Sequence, residues 1–254
     1  MPDQPTKLAL VTGATSGIGE ATARELLARG WRVVGMGRRD GVIDDAGYRH
    51  VSIDLAEVAA LQSSIGAELE ASAGAGPWAR VGLVNCAADP GLIGTMDAFD
   101  PEEMLRIQAV NAVAPAWLMG RIGRIAGADT PVRVVNVSSG AAREPYPGMV
   151  AYCTSKAALR MAGRVLAKEA EATGRKNEDP ADLTVLSYEP SVVDTPMQES
   201  ARTTPREKLP IVDFFKGLKR DDRLVPPAEP AREIADYLEA DGHERFTERR
   251  FGVE

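Results

Sequence analysis

The sequence predicts an α/β fold: a single-domain, doubly wound parallel sheet with helices on both faces, spanning residues 1–254. Three observations predict it. Short apolar, β-rich runs alternate with stretches in which apolar residues recur at helical spacing. A glycine-rich turn joins the first such run to the first helical stretch. The 254 residues, 44% of them hydrophobic, suit one large core, because α/β domains often reach this size.

The elements follow in order. Leu8–Val11 reads as a first strand ending at Thr12-Gly13. Residues 18–29 read as a helix, with Ile18, Ala21, Leu26 and Leu27 on one face and Gly30 as its stop. Trp31–Met36 is a second strand, followed by a basic turn, and Tyr48–Ile53 a third, ending at Asp54. A helix from about Glu57 to Ser72 is broken by the Ala/Gly segment 73–77. Val81–Val84 is a fourth strand, and one long helix is expected from about Glu102 to Ala126. Val132–Val137 is a fifth strand, residues 151–172 a helix, Gly174–Pro180 a polar break, and Leu183–Ser187 a sixth strand. This alternation gives a parallel sheet covered on both sides. Right-handed crossovers place its ligand crevice beyond the carboxyl ends of the strands. Residues 191–227 differ, being rich in Pro, Thr and charge with an apolar insertion at Ile211–Phe215; a mobile substrate loop with short helices is expected there. A last helix is expected over about Pro230–Glu239.

Composition narrows the function classes. A net charge of −7 and a pI near 5.1 supply no basic footprint for nucleic acid or an anionic membrane. Two cysteines, Cys86 and Cys153, need no disulfide framework and fit a reducing, cytoplasmic setting. Two histidines, His50 and His243, leave a zinc site or a Ser-His-Asp triad hard to staff, so no metal is expected. No apolar run approaches membrane-spanning length, and Met1–Lys7 carries no signal-peptide core.

The first turn, Thr12-Gly13-Ala14-Thr15-Ser16-Gly17-Ile18-Gly19, lies between strand and helix. Gly13 permits the tight turn, Gly17 lets backbone approach a pyrophosphate, and Gly19 allows the helix to pack closely on the sheet. Thr15, Ser16 and Ile18 share that loop, where a helix N-terminus offers free N–H groups and partial positive charge to an anion. A ligand-free glycine turn is the plainer reading, and the strand–turn–helix context argues against it. At the end of the second strand, where a carboxylate would bind the ribose 2′-hydroxyl of NAD, stands Met36-Gly37-Arg38-Arg39. Two guanidinium groups suit the 2′-phosphate of NADP(H); a solvated basic turn is the alternative, and Asp40 follows at once. Asp54, with Leu55 beside it, is placed to meet the adenine edge or, for Asp54, to cap the next helix.

Tyr152 and Lys156 are four residues apart near a helix start, hence on one face. A free tyrosine titrates near 10. A neighbouring ammonium is expected to lower that value and fit the phenol for proton exchange with a carbonyl oxygen. An aromatic and a cation on an exposed helix is the plainer reading. Ser139, in Asn136-Val137-Ser138-Ser139-Gly140 at the end of the fifth strand, opens into the same crevice and can hydrogen-bond a substrate oxygen; it can also be a turn serine. Asn111 sits inside the expected long helix, a poor place for asparagine. It bonds a backbone group or a water near Lys156, or is simply tolerated.

Together, Thr12-Gly13-x-x-x-Gly17-x-Gly19, Asn85, Asn111, Ser139 and Tyr152-x-x-x-Lys156 resemble the short-chain dehydrogenase/reductase family across nearly the whole chain. The resemblance implies a Rossmann fold with Tyr152 as acid/base and Lys156 on the nicotinamide ribose, lowering the tyrosine pKa. It also implies that Ser139 orients the carbonyl and that Asn111 holds a water linking Lys156 to solvent. Residues 135–142, Pro145-Tyr146-Pro147-Gly148, Ala151-Tyr152-Cys153 and residues 190–198 look like the sepiapterin reductase and benzil reductase branch. That likeness implies NADPH and ketone or diketone substrates. Asn85, Ala87, Pro190, Val193 and Thr195 then fall at cofactor positions. Two departures stand out: the family's Asn-Asn-Ala-Gly is Asn85-Cys86-Ala87-Ala88, and its Pro-Gly is Pro190-Ser191. Side chains in place of those glycines would shift the nicotinamide.

The expectation is therefore an NADPH-dependent carbonyl reductase acting on a small-molecule ketone or diketone. The alternatives are an NADP-binding sensor or scaffold without turnover, and an NAD-dependent alcohol or steroid dehydrogenase. A homo-oligomer, dimer or tetramer, is implied through the helices at 102–126 and 151–172, with Trp117, Leu118 and Met119 either in that contact or in the core.

Overall fold

The computed structural model describes residues 7–91, 93–98, 100–127, 129–173 and 182–253. The polar break expected at Gly174–Pro180 lies outside these residues.

Seven strands form one sheet: β1 (Lys7–Thr12), β2 (Trp31–Gly37), β3 (Tyr48–Ser52), β4 (Arg80–Asn85), β5 (Val132–Val137), β6 (Leu183–Glu189) and β7 (Phe246–Arg250). Their order is β3-β2-β1-β4-β5-β6-β7 and every pairing is parallel. The direction of winding reverses between β1 and β4, and a crevice opens at such a switch point. All six residues of β5 are buried, four of them valine, as expected of a central strand covered on both faces; Arg133 and Asn136 are satisfied inside by Asp182 and Asn85.

One face of the sheet packs on α1 (Gly17–Ala28) and α8 (Ala228–Glu239) through Ala23, Leu26, Ile234 and Leu238. The other packs on α2 (Val58–Gly74), α4 (Ala114–Ala126) and α5 (Val150–Ala172) through Ile65, Leu118, Ile122 and Leu159.

Two features depart from expectation. The long helix is not continuous: α3 (Pro101–Gln108) passes through a π-turn at Ala109–Val113 into α4. Pro115 has no N–H, so the Asn111 carbonyl four residues earlier loses its α-helical donor, and the ladder re-registers there. Second, β7 was not anticipated. Phe-Thr-Glu-Arg-Arg shows no apolar alternation, and only pairing with β6 makes this edge segment a strand. Residues 191–227 carry short helices as expected, α6 (Pro196–Thr203) and α7 (Val212–Arg220), and the segment leaves and returns at one place. There the Asp194 N–H donates to the Val225 carbonyl, and the Val225 N–H to the Val192 carbonyl, both at 3.0 Å.

Among the described residues no helix is long and apolar enough to cross a membrane, and no cluster of three or more potential metal ligands occurs.

Candidate active site

The first turn is built around its glycines. Gly13 has φ +72, and a Cβ there would stand 2.9 Å from the backbone of Ala87, so the loops after β1 and β4 touch through it. A Cβ at Gly19 would fall 2.3 Å from the Gly13 carbonyl oxygen, which confirms close packing as the reason for the third glycine. Ser16 is the N-cap of α1, yet its side chain makes no capping bond. The first N–H groups of α1 thus have neither helical nor side-chain acceptors, which fits an anionic pyrophosphate. Arg39 lies against this loop, its Nη2 donating to the carbonyl and hydroxyl oxygens of Thr15, each at 3.3 Å. Arg38 is exposed beside it. Asp54 accepts from the Ala56 N–H at 2.9 Å, a local turn bond rather than a cap on α2.

A cleft of about 960 Å³ runs from this loop across the carboxyl ends of the strands. Its phosphate end is lined by Gly13, Thr15, Ser16, Gly17, Ile18, Arg38, Arg39, Asp54 and Leu55, and its centre by Ala87, Ser139, Tyr152, Lys156, Pro190, Val193 and Thr195. Gly19, Asn85 and Asn111 do not line it.

At the centre, Ser139 ends β5 in extended conformation, and its Oγ accepts from the Ala141 N–H at 3.2 Å. Ser139 is also hydrogen-bonded to the Tyr152 hydroxyl. Lys156, one turn further along α5, is 2% exposed; its Nζ donates to the Val137 carbonyl at 2.8 Å and lies 5.6 Å from the Tyr152 ring centroid. Phenol, hydroxyl and ammonium therefore converge.

The electrostatics differ from the sequence expectation. Burial pushes Tyr152 up to about 12, and the bond to Ser139 offsets this only in part. Burial also brings Lys156 down to about 8. Desolvation of both groups outweighs the attraction that was expected to lower the tyrosine. Cys86, in the same wall, is raised to about 12 by burial against the opposing charge of Lys156.

Two predicted residues act behind the wall. Asn111 is fully buried in the π-turn: its Oδ1 accepts from the Asp89 N–H and its Nδ2 donates to the Asp89 carbonyl, both at 2.8 Å. The same Nδ2 donates to Ser155 Oγ at 3.0 Å, and Ser155 Oγ donates to the Tyr152 carbonyl at 2.8 Å. Its side chain thus braces the loop after β4 against the first turn of α5. Asn85 donates to Asn136 Oδ1 at 2.8 Å inside the sheet, which removes its side chain from the cleft. The loop is held instead by Thr12, whose Oγ1 accepts from the N–H groups of Cys86 and Ala87 at 3.0 Å. Ser191 has φ +64, so the backbone keeps the left-handed turn that a glycine would take there.

Sequence reasoning missed the far end of the cleft: Tyr146, Met149, Gln198, Phe214, Phe215 and Arg250. The apolar insertion at Ile211–Phe215 signalled part of it. Arg250 had no signal, because its place depends on β7.

Comparison with known proteins agrees with this geometry. A family model described as short chain dehydrogenase matches residues 7–206. Benzil reductase ((S)-benzoin forming) of Bacillus cereus is 28% identical over 240 residues, covering 91% of this chain and 94% of that protein. Sepiapterin reductase of Xenopus laevis is 32% identical over 257 residues, covering 93% and 92%. The crystal structure of the KRED1-Pglu enzyme superposes with a TM-score of 0.78 at 25% identity, covering 95% of this chain and 100% of that one.

Proposed function

The chain belongs to the short-chain dehydrogenase family, and on that footing we propose that it is an NADPH-dependent carbonyl reductase of small-molecule ketones or diketones, with Tyr152 as general acid. The observation that carries this reading is the convergence of Tyr152, Ser139 and Lys156 in a cleft whose other end holds an uncapped helix N-terminus and two arginines.

The reduced nicotinamide supplies the hydride. The protein supplies a proton and the placement. Tyr152, near 12, is protonated at neutral pH and so is poised to donate to the carbonyl oxygen rather than to accept from an alcohol. Ser139 holds the same oxygen. Lys156 binds the nicotinamide ribose, and the Asn111 carbonyl, deprived of its helical donor by Pro115, holds the water that connects Lys156 to solvent. Gly13, Gly17 and the N–H groups opening α1 bind the pyrophosphate, and Arg38 and Arg39 bind the 2′-phosphate. Asp54 and Leu55 border the adenine, while Ala87, Pro190, Val193 and Thr195 border the nicotinamide.

Beside Tyr152 lies an apolar cluster of Met149, Ala201, Leu209 and Val212 with Tyr146 and Phe215 packed on it. That supports an apolar or aromatic carbonyl compound, in keeping with a relative named benzil reductase. Residues 191–227 act as the substrate loop of a single domain. The chain works in the cytoplasm as a homodimer or tetramer through α3–α4 and α5, where Leu105, Val113, Met161 and Val165 are exposed. Leu118 and Met119 are core residues, and Trp117 packs partly buried against them.

The test is NADPH consumption with benzil and 1-phenylpropane-1,2-dione. Tyr152→Phe lowers turnover by about 10²- to 10⁴-fold while NADPH affinity is kept. Full turnover in that variant removes the tyrosine from the reaction, and NADPH binding without any turnover of the wild type selects the sensor reading.

A further inference from the structure

β7 delivers a charge to the cleft. Arg250 ends that strand in register with Glu189 at the end of β6, and the Phe251 N–H donates to the Glu189 carbonyl at 2.8 Å. Its backbone is thus pinned where the chain leaves β6 for Pro190 and Ser191, and its side chain lines the same cleft as Tyr152. The carboxylate nearest in register is spent, because Glu189 pairs with Arg143. Glu144, also in this wall, is exposed, and among the described residues no carboxylate pairs with Arg250.

The arginines assigned to the cofactor's 2′-phosphate are far from this guanidinium. Arg38 and Arg39 follow β2, which is separated from β7 by five strand spacings of about 4.8 Å, about 24 Å in all. The cleft that Arg250 and Tyr152 share is also lined by Tyr146 and Met149. Tyr146 feels the charges of Arg250 and Glu189, and its hydroxyl would stand 2.9 Å from a Cβ on Gly140, the residue after Ser139. Phe214 and Phe215, which meet edge to face at 5.4 Å, line the cleft as well.

We propose that Arg250 is the anion anchor of the substrate site and that the substrate is an aryl oxo acid, its carbonyl at Tyr152 and its carboxylate at Arg250. The proposal rests on the reading of the chain as a carbonyl reductase and names its substrate class. In the reaction the carbonyl carbon receives the hydride, the C=O π bond breaks, and the oxygen takes the Tyr152 proton. The carboxylate is unchanged. A planar guanidinium grips a carboxylate through two parallel hydrogen bonds, which a neutral ester cannot reproduce.

The experiment compares kcat/KM for 4-oxo-4-phenylbutanoate and its methyl ester at saturating NADPH. The wild type favours the acid by about 10- to 100-fold. Arg250→Met abolishes that preference through KM with kcat retained, and Arg250→Lys keeps part of it. Arg249→Met keeps all of it, because its side chain alternates to the opposite face, where its charge acts on Tyr188 and Tyr237. Equal use of acid and ester by the wild type, or a loss in Arg250→Met that is the same for both, overturns the anchor. Calorimetry with 4-phenylbutanoate, which cannot be reduced, gives a second readout on the NADP⁺ complex. Binding that Arg250→Met weakens supports the anchor, and absent or unaltered binding overturns it. NADPH consumption with none of benzil, the acid and the ester sinks the reductase reading instead, while the calorimetry with 4-phenylbutanoate still tests the anchor.

Discussion

Replacing Lys156 with methionine will abolish turnover and make the cofactor-free protein more stable at neutral pH. Lys156 is 2% exposed, and burial lowers its ammonium from 10.5 to about 8. At about 1.4 kcal/mol per tenfold, that difference represents about 3 kcal/mol of folding free energy lost to holding the charge inside. Methionine of similar length removes this cost but leaves the Val137 carbonyl without its donor at 2.8 Å, a loss of about 1–3 kcal/mol. The net gain is about 1 kcal/mol at pH 7. Its pH dependence is the sharper signature. Below about 8 the lysine is charged in both the folded and unfolded chains, so the full cost is present. Between about 8 and 10.5 the unfolded chain holds a proton that the folded chain has released, so wild-type stability rises with pH. Above 10.5 the cost has vanished, and the methionine variant, still lacking the hydrogen bond, is the less stable protein. Tyr152 and Cys86, both raised to about 12 by burial, titrate in both proteins and largely cancel in the difference. Urea unfolding of both proteins at pH 7 and pH 10, read by circular dichroism, measures it. A stability difference that does not change between those pH values would refute a costly buried ammonium.

Two further outcomes are expected. Arg38→Asp lowers NADPH affinity by about tenfold or more while NADH affinity holds or improves, the proposed partner of this charge being the 2′-phosphate that NADH lacks; fluorescence titration with both cofactors reads this, and an equal loss for both removes the arginine from 2′-phosphate binding. Gly91→Ala forces a Cβ to 1.9 Å from Ile107 Cδ1 at a residue with φ +70, costing about 2–4 kcal/mol from left-handed backbone and overpacking together. Adding Ile107→Val removes the clashing methyl and restores part of the urea midpoint; a midpoint unmoved by Gly91→Ala would show that the loop yields freely.

Period and punctuation made the sheet legible. β5 is buried at all six positions, and its four valines alone mark it as a strand; Arg133 and Asn136 can be buried in it only because Asp182 and Asn85 pair with them. The glycine turn was legible from its spacing, but only Gly19 owes its missing side chain to a local contact, with Gly13 and Thr12; Gly13 is held against Ala87 and Gly17 against Thr195, both from distant segments. Tyr152 and Lys156 were paired by helical spacing alone.

What the chain could not announce was whatever depends on distant partners. The π-turn follows from Pro115 withholding a hydrogen bond from Asn111, a signal present in the sequence, but the use of Asn111 as a brace needs Asp89 and Ser155 to arrive from other elements. Spacing set the ammonium beside the phenol, yet the direction of both titrations was decided by how much water the folded walls exclude. Phe-Thr-Glu-Arg-Arg became β7, and Arg250 part of the cleft, only because an exposed edge of β6 was there to pair with it. Local pattern determined the elements and the residues that act within one turn of each other. Burial and long-range pairing, which depend on the whole packed chain, determined their charge state and the far wall of the site.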